Sequence, residues 1–394
     1  MPRYTYLIIG GGMTADAAVR GIREVDSTGS IGLVSAEPEA PYNRPPLTKG
    51  LWKDQTLDSI WRDTGSQGVD LHLGRWIEAI DLWRRQATDD QGTDYTFEKL
   101  LFATGGRPRR LPFGAREILY YRTVADYHRL RELTRNGQRF AVIGGGFIGS
   151  EIAAALALNG KSVVMLFPGS GIGHRMFPPE LSGFLTDFYR QKGVEVLPGE
   201  SATGLERQGE ELILQTQNQR ELRVDGVVAG LGIQPNVELA EMAGLRVEDG
   251  IVVDEYLRTS HPDVYAAGDV AAFYNPALRR RLRVEHEDNA NNMGQLAGRN
   301  MAGKPYRYLH LPFFYSDLFE LGYEAVGETD GRLTTIADWK EPFREGVVYY
   351  HQDGRVRGVL LWNVWGQVDA ARALIAGRQQ FRPEAFKEHL LKAA

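Results

Sequence analysis

The sequence predicts an α/β protein with a C-terminal α+β segment, and three observations carry that prediction. Near the N-terminus a strand-length apolar run leads into a glycine turn and a helical segment. The same grammar returns 134 residues later. Beyond about Leu311 the pattern changes to alternating strands joined by tight turns.

The first copy starts with Tyr6-Leu7-Ile8-Ile9 and turns through Gly10-Gly11-Gly12-Met13-Thr14-Ala15 into a helix over Thr14–Val25. Glycines in such a turn let the backbone approach a pyrophosphate, and the helix N-terminus supplies N–H donors and positive potential. A strand over Ile31–Ser35 follows, and Glu37, 25 residues after Gly12, stands near the spacing of a ribose-binding carboxylate. Lys99–Phe102 reads as a buried strand running into Ala103-Thr104-Gly105-Gly106, and Arg107–Phe113 as a domain crossing.

The second copy begins at Arg139 and turns through Gly144-Gly145-Gly146-Phe147-Ile148-Gly149 into a helix over Gly149–Leu158 and a strand over Ser162–Phe167. A helix over Pro179–Lys192 and several strands lead to Val227–Gly232, and Val264–Asp269 reads as a strand ending in an acidic turn. A helix is expected over Asp288–Met301. Asp353-Gly354, between Val347–His351 and Arg355–Trp362, is a two-residue hairpin signal. Gln367–Ala376 reads as a closing helix with Gly377 past its end. Two fingerprints in one chain point to two nucleotides held at once, economically a flavin and a nicotinamide exchanging a hydride.

At 394 residues the chain calls for two or three domains. Hydrophobic content of 43% and charged content of 25% are ordinary for a globular protein, and the apolar runs fall far below the roughly 20 residues of a membrane span. Met1-Pro2-Arg3 enters a strand at once, so no targeting peptide is expected and the cytoplasm is the default location. A formal charge of −5 argues against nucleic acid as a partner. The absence of cysteine excludes a redox disulfide, a thiolate nucleophile and Cys-ligated metals. The eight histidines show no metal-ligand spacing, so no metal site is expected and electrons must move on bound organic cofactors.

Six motifs occur in order: Gly10-x-Gly12-x-x-Ala15, Arg44-Pro45-Pro46-Leu47-Thr48-Lys49, Ala103-Thr104-Gly105, Gly144-x-Gly146-x-x-Gly149, Gly230-x-Gly232-x-x-Pro235-Asn236 and Ala267-Gly268-Asp269. Together they resemble the FAD- and NAD(P)H-dependent oxidoreductases of glutathione-reductase fold. The likeness is greatest to the non-disulfide branch, which includes apoptosis-inducing factor, monodehydroascorbate reductase and the ferredoxin reductases of oxygenase systems. It covers nearly the whole chain, including Leu311–Asp317.

The resemblance implies two Rossmann-like nucleotide-binding domains plus a C-terminal α+β domain. FAD would take 1–112 with 246–310, NAD(P) would take 113–245, and 311–394 would form the interface domain. For FAD it implies Gly10, Gly12, Met13, Thr14 and Ala15 of the fingerprint, with Glu37, Ala103, Thr104, Gly105 and Gly268. Arg44 would meet a phosphate, Asp269 the ribityl chain, and Arg122 and Ile77 would touch FAD, the latter through its backbone. NADH or NADPH would use Gly144, Gly146, Phe147, Ile148, Gly149, Arg175, Gly232 and Glu324.

Lys49 and Glu151 are the pair expected to act catalytically beside the flavin N5, each holding the other ionised. Glu285 and His286 would lie near both cofactors, at the entrance to the helix Asp288–Met301, and Tyr315 would lie on the flavin ring. Phe147 would cover the flavin where nicotinamide must stack. One departure concerns the second nucleotide. The strand Ser162–Phe167 runs into Phe167-Pro168-Gly169-Ser170 with no acid, while His174 and Arg175 follow and could meet a pyrophosphate or a 2′-phosphate.

The reaction implied is hydride transfer from nicotinamide C4 to flavin N5, then electron delivery to a ferredoxin- or rubredoxin-like carrier or a small acceptor. The rival from another class is a slow-turnover redox switch like apoptosis-inducing factor, acting by NAD-linked conformational change or dimerisation, with a homodimer as its assembly. Two basic clusters, Arg107/Arg109/Arg110 and Arg279/Arg280/Arg281/Arg283, read either as a docking surface for an acidic carrier or as solvated loop residues.

Overall fold

The structure, a computed structural model, describes residues 1–209, 211–377 and 390. It forms two compact units, one of Met1–Arg44, Thr56–Arg107 and Gln234–Phe313, the other of Pro45–Gln55, Pro108–Ile233 and Phe314–Ala394. The short excursion Pro45–Gln55 therefore carries Lys49 into the second unit, and residues 234–245 cluster with the first.

In the first unit Val69–Leu73, Ile31–Ser35, Arg3–Ile9 and Asp94–Phe102 lie side by side in parallel. Asp94–Phe102 serves two further neighbours. Its first residues pair antiparallel with Gln86–Asp89, which pairs in turn with Ile77–Asp81, and its last residues pair in parallel with Val264–Ala266. The strand is longer than the Lys99–Phe102 expected because its first half is a half-exposed meander whose polar residues hide the pattern. Its end, Leu100–Phe102, is fully buried, as an apolar run in a parallel sheet should be.

The helix Met13–Arg23 packs on the helix Glu287–Met301 almost backbone to backbone. A Cβ on Gly294 would fall on the Thr14 carbonyl oxygen, and one on Gly298 on that of Ala18. Asp16, fully buried on the first of these helices, ties it to the loop beyond the sheet. It accepts hydrogen bonds from Arg20 Nε (2.9 Å), Arg62 Nε (2.8 Å) and Thr64 Oγ1 (2.7 Å). Burial alone would raise the Asp16 carboxyl, but the bonds from Arg20, Thr64 and Arg62 more than reverse this and leave it below the usual carboxylate range.

The second unit holds a five-stranded parallel sheet in the order Val194–Pro198, Ser162–Phe167, Arg139–Ile143, Gly226–Ala229, Ile118–Tyr120. A three-stranded antiparallel sheet of Ala202–Gln208, Glu211–Thr216 and Glu221–Val224 accompanies it. The C-terminal segment forms a five-stranded sheet ordered Phe313–Leu318, Leu321–Gly327, Arg355–Trp362, Glu345–Gln352, Thr334–Glu341. The expected hairpin is there: Gln352 pairs with Arg355, and Asp353 (φ 51°) and Gly354 (φ 72°) are both left-handed, as a two-residue primed turn requires. The closing helix runs Val368–Ala376, and Gly377 ends it in an extended conformation (φ −59°) rather than the left-handed one a terminal glycine usually takes.

Asp16→Ala should destabilise the protein by about 3 kcal/mol, since it leaves the largely buried Arg62 without its carboxylate. Urea unfolding followed by circular dichroism checks this, and an unchanged midpoint would show that the cluster is not structural.

Candidate dinucleotide sites and the Lys49–Glu151 pair

The two fingerprints have nearly the same backbone. Gly10 and Gly144 have φ of 123° and 122°, in the region that glycine alone adopts freely. Both are pressed against a neighbouring strand end, so that a Cβ on Gly10 would fall on the Ala103 carbonyl and one on Gly144 on the Gly230 carbonyl. Gly12 and Gly146 sit at the helix starts with φ −91° in both, and neither helix has a side-chain cap. Each leaves helix N–H groups open over a glycine surface, a cradle for an anionic pyrophosphate. Met13-Thr14-Ala15 and Phe147-Ile148-Gly149 are the corresponding first turns.

In the first unit Arg44 stands at the mouth of its cradle, with Nη2 3.9 Å from where a Cβ on Gly12 would be. The guanidinium pairs with Glu37, whose other oxygen accepts the Tyr42 hydroxyl at 2.6 Å. Burial works against the Arg44 charge, but Glu37, Tyr42 and Asp269 hold its pKa above the ordinary value. Thr104 and Asn236 exchange hydrogen bonds, Oγ1 to the Asn236 carbonyl and Nδ2 to the Thr104 carbonyl at 2.8 Å each, and Asn236 N donates to the Gly105 carbonyl. Two residues 132 positions apart in the sequence are joined there. Gly268 (φ 75°) lies so close to Thr14 that a Cβ would meet its hydroxyl, which sets the Asp269 turn beside the fingerprint.

His286 precedes the helix Glu287–Met301. Burial holds its imidazole down to about 4, against the pull of Asp269 and Asp288, so it is neutral near pH 7. Neighbouring Arg283 pairs with Glu285 at 2.7 Å and Asp249 at 3.2 Å and donates to the Asp269 carbonyl at 3.1 Å. Ile77 is buried in its strand. Arg122 belongs to the second unit, where its backbone N donates to Asp126 at the start of the helix Val124–Asn136.

The second unit brings Lys49 and Glu151 together. Lys49 Nζ lies 2.8 Å from Glu151 Oε1, and the carboxylate is almost entirely buried. The same Oε1 accepts Ser316 Oγ at 2.6 Å, and Oε2 accepts Thr48 Oγ1 at 2.5 Å. Lys49 Nζ also lies 5.2 Å from the centre of the Tyr315 ring. Lys49 is delivered by the turns Pro45–Thr48 and Gly50–Trp52, which are pinned where the Leu47 carbonyl accepts Trp52 Nε1 (2.8 Å) and Tyr121 OH (2.6 Å). Sequence alone does not point to Thr48 or Ser316. Their hydroxyls carry no periodic signal, and only adjacency to Lys49 and Tyr315 points to them.

Phe147 is 38% exposed and meets Phe314 edge-on, with ring centres 5.2 Å apart. Glu324 Oε2 is buried and has no hydrogen-bond partner among the described residues, and burial raises its carboxyl. Gly232 is left-handed (φ 79°), its carbonyl accepting Arg109 N at 2.9 Å. Several arginines of the two basic clusters hold loops: Arg107 binds Asn236 and Glu238, and Arg281 binds the carbonyls of Val253 and Ala272. Among the described residues no helix is long and apolar enough to cross a membrane.

Residues 4–294 match the pyridine nucleotide-disulphide oxidoreductase family. The chain belongs to that family. Residues 297–342 and 337–377 match the C-terminal domain of mitochondrion-associated apoptosis-inducing factor. The oxidoreductase is 35% identical to apoptosis-inducing factor 1 of Dictyostelium discoideum, over 96% of this chain and 79% of that protein. It is 36% identical to the ferredoxin reductase subunit of the 5,5′-dehydrodivanillate O-demethylase of Sphingobium, over 90% of this chain and 89% of that one. Putidaredoxin reductase, solved in covalent complex with putidaredoxin, superposes with a TM-score of 0.92 at 29% identity, covering 100% of this chain and 99% of that one. The disulphide of the family name has no counterpart here, because the chain has no cysteine.

His286 generates a pH prediction. Its folded pKa lies below the ordinary 6.5, so folding favours the neutral ring. The stability this contributes is complete above about 6.5 and is lost as the pH falls from there to about 4. His286→Asn should flatten that stretch of the stability curve, read by urea melts at successive pH values; an unaltered slope would refute the assignment.

Proposed function

We propose that this oxidoreductase binds FAD at the first fingerprint and NADH or NADPH at the second, and reduces a ferredoxin-like protein. The observation that carries the reading is the buried Lys49–Glu151 pair, an ammonium held by a carboxylate that also receives two hydroxyls. When bound, the flavin supplies a ring that accepts hydride from the nicotinamide and hands electrons to the acceptor.

The protein's part is to position and tune. The open helix starts and Arg44 fit two pyrophosphates, and the Asp269 turn fits a ribityl chain. Ser316 Oγ, Thr48 Oγ1 and Lys49 Nζ all lie against the Glu151 carboxyl group, which fixes the lysine in place, and Lys49 would meet the reactive edge of the flavin. Tyr315 would pack on the flavin, and the unpartnered Glu324 Oε2 would accept a nicotinamide carboxamide N–H. In domain terms, 1–112 with 246–310 would hold FAD, 113–245 the nicotinamide nucleotide, and 311–394 the interface.

Relatives named as ferredoxin reductases, and the putidaredoxin complex, support a ferredoxin-type partner. A rubredoxin-like carrier or a small acceptor is a weaker form of the same reading. The match of residues 297–377 to the apoptosis-inducing factor C-terminal domain favours a second reading, a slow redox switch with an NAD-linked homodimer. A cytoplasmic location goes with the reductase reading.

Stopped-flow reduction decides between the two. Fast reduction by NAD(P)H followed by fast reoxidation on adding a [2Fe–2S] ferredoxin supports the reductase. Persistently slow turnover with every acceptor, together with a long-wavelength charge-transfer band, would replace it by the switch. Lys49→Met should slow flavin reduction by about tenfold or more, the scale of losing one charged group in a dry site, while FAD stays bound. Wild-type reduction rates in that variant would show the pair to be structural only.

A further inference from the structure

The two fingerprints remain equivalent beyond their glycines, and that equivalence exposes one difference in charge. In the first copy Arg75 N donates to the Ser35 carbonyl (2.8 Å) and Gly74 N to the Glu37 carbonyl (3.0 Å). In the second copy Glu200 N donates to the Phe167 carbonyl (3.0 Å) and Gly199 N to the Gly169 carbonyl (2.9 Å). Ser35 and Phe167 also play one role, each filling the space a Cβ on Gly11 or Gly145 would need. Gly169 therefore stands where Glu37 stands, at the place from which a carboxylate reads a ribose 2′-hydroxyl.

That place is not empty. The space a Cβ on Gly169 would occupy is filled by the His174 imidazole. Between Phe167 and Met176 there is no acid, and Arg175 follows His174 directly, both side chains being exposed. Glu200, whose N bonds the Phe167 carbonyl, is buried and already accepts Asn218 N (3.0 Å) and Nδ2 (2.6 Å). Gly173 N donates to the Gly145 carbonyl (2.8 Å), which ties this loop to the fingerprint itself. Tyr350 OH to the Met176 carbonyl and Gly331 N to the Arg175 carbonyl, both 2.8 Å, hold its far side.

We propose that the second site selects a nucleotide carrying a 2′-phosphate, so that NADPH is the preferred reductant, with His174 and Arg175 receiving the phosphate. Where the first copy carries an acid, this corner carries a glycine backed by an imidazole and followed along the loop by an exposed arginine, groups suited to a phosphate rather than to a ribose hydroxyl. The inference rests on the assignment of the second fingerprint to a nicotinamide nucleotide.

Calorimetric titration of the FAD-loaded protein with adenosine 2′,5′-bisphosphate and with 5′-AMP tests it without turnover. The bisphosphate should bind at least about tenfold more tightly, and Arg175→Ala should erase most of that margin while leaving 5′-AMP unchanged. His174→Ala should reduce it in part, and kcat/KM should favour NADPH over NADH by a similar factor. Equal or tighter binding of 5′-AMP would overturn the inference, as would an Arg175→Ala loss shared equally by both ligands, which marks a pyrophosphate contact. If neither ligand binds while the protein is folded by circular dichroism, the nucleotide assignment of the site fails, and the inference with it.

Discussion

The structure depends on a contact that only glycine permits. At Gly10 and again at Gly144 the chain leaves a central strand and turns directly beneath the carbonyl at the end of the neighbouring strand. A side chain at either position would collide with that carbonyl, and φ near +120° would strain it further. Because the turn is so tight, the following helix starts immediately above the sheet with its N–H groups unshared. The open helix ends and the anion cradle both follow from that constraint.

The second level of organisation is electrostatic and lies in the hydroxyls around Glu151. An acid buried this deeply is costly unless both of its oxygens find partners. Here one ammonium and two hydroxyls donate to it, so the charge is distributed over a network rather than a single pair. The residues come from three distant stretches, the Pro45–Gln55 excursion, the second fingerprint helix and the first strand of the C-terminal sheet. This convergence goes with the placement of Pro45–Gln55 in the second unit, while the residues flanking that stretch build the first. In the first unit Glu37 is shared by Tyr42 and Arg44, so an acid read from spacing as a ribose contact also positions a cation at the cradle.

The basic clusters were ambiguous in sequence because charge density alone cannot distinguish a docking surface from loop anchors. Arg107, Arg281 and Arg283 are engaged with carbonyls or acids of their own unit, and a charge occupied in that way steers a partner less than an unpaired one. Evidence for a ferredoxin-type partner therefore comes from the relatives more than from those arginines.

Sequence alone determined the parts whose physics is local. The two βαβ units, the Asp353-Gly354 hairpin and the pairing of apolar runs with buried strands depend on near-neighbour backbone preference and hydrophobic period, which a linear string records. Lys49 and Glu151 were legible only through resemblance, since they lie 102 positions apart and no periodicity links them. Tertiary structure alone decided the roles of Thr48, Ser316 and Asn236, and the equivalence of Gly169 with Glu37. A hydroxyl or a glycine has no pattern of its own, and its meaning is set by which distant backbone and charge it meets when the chain closes.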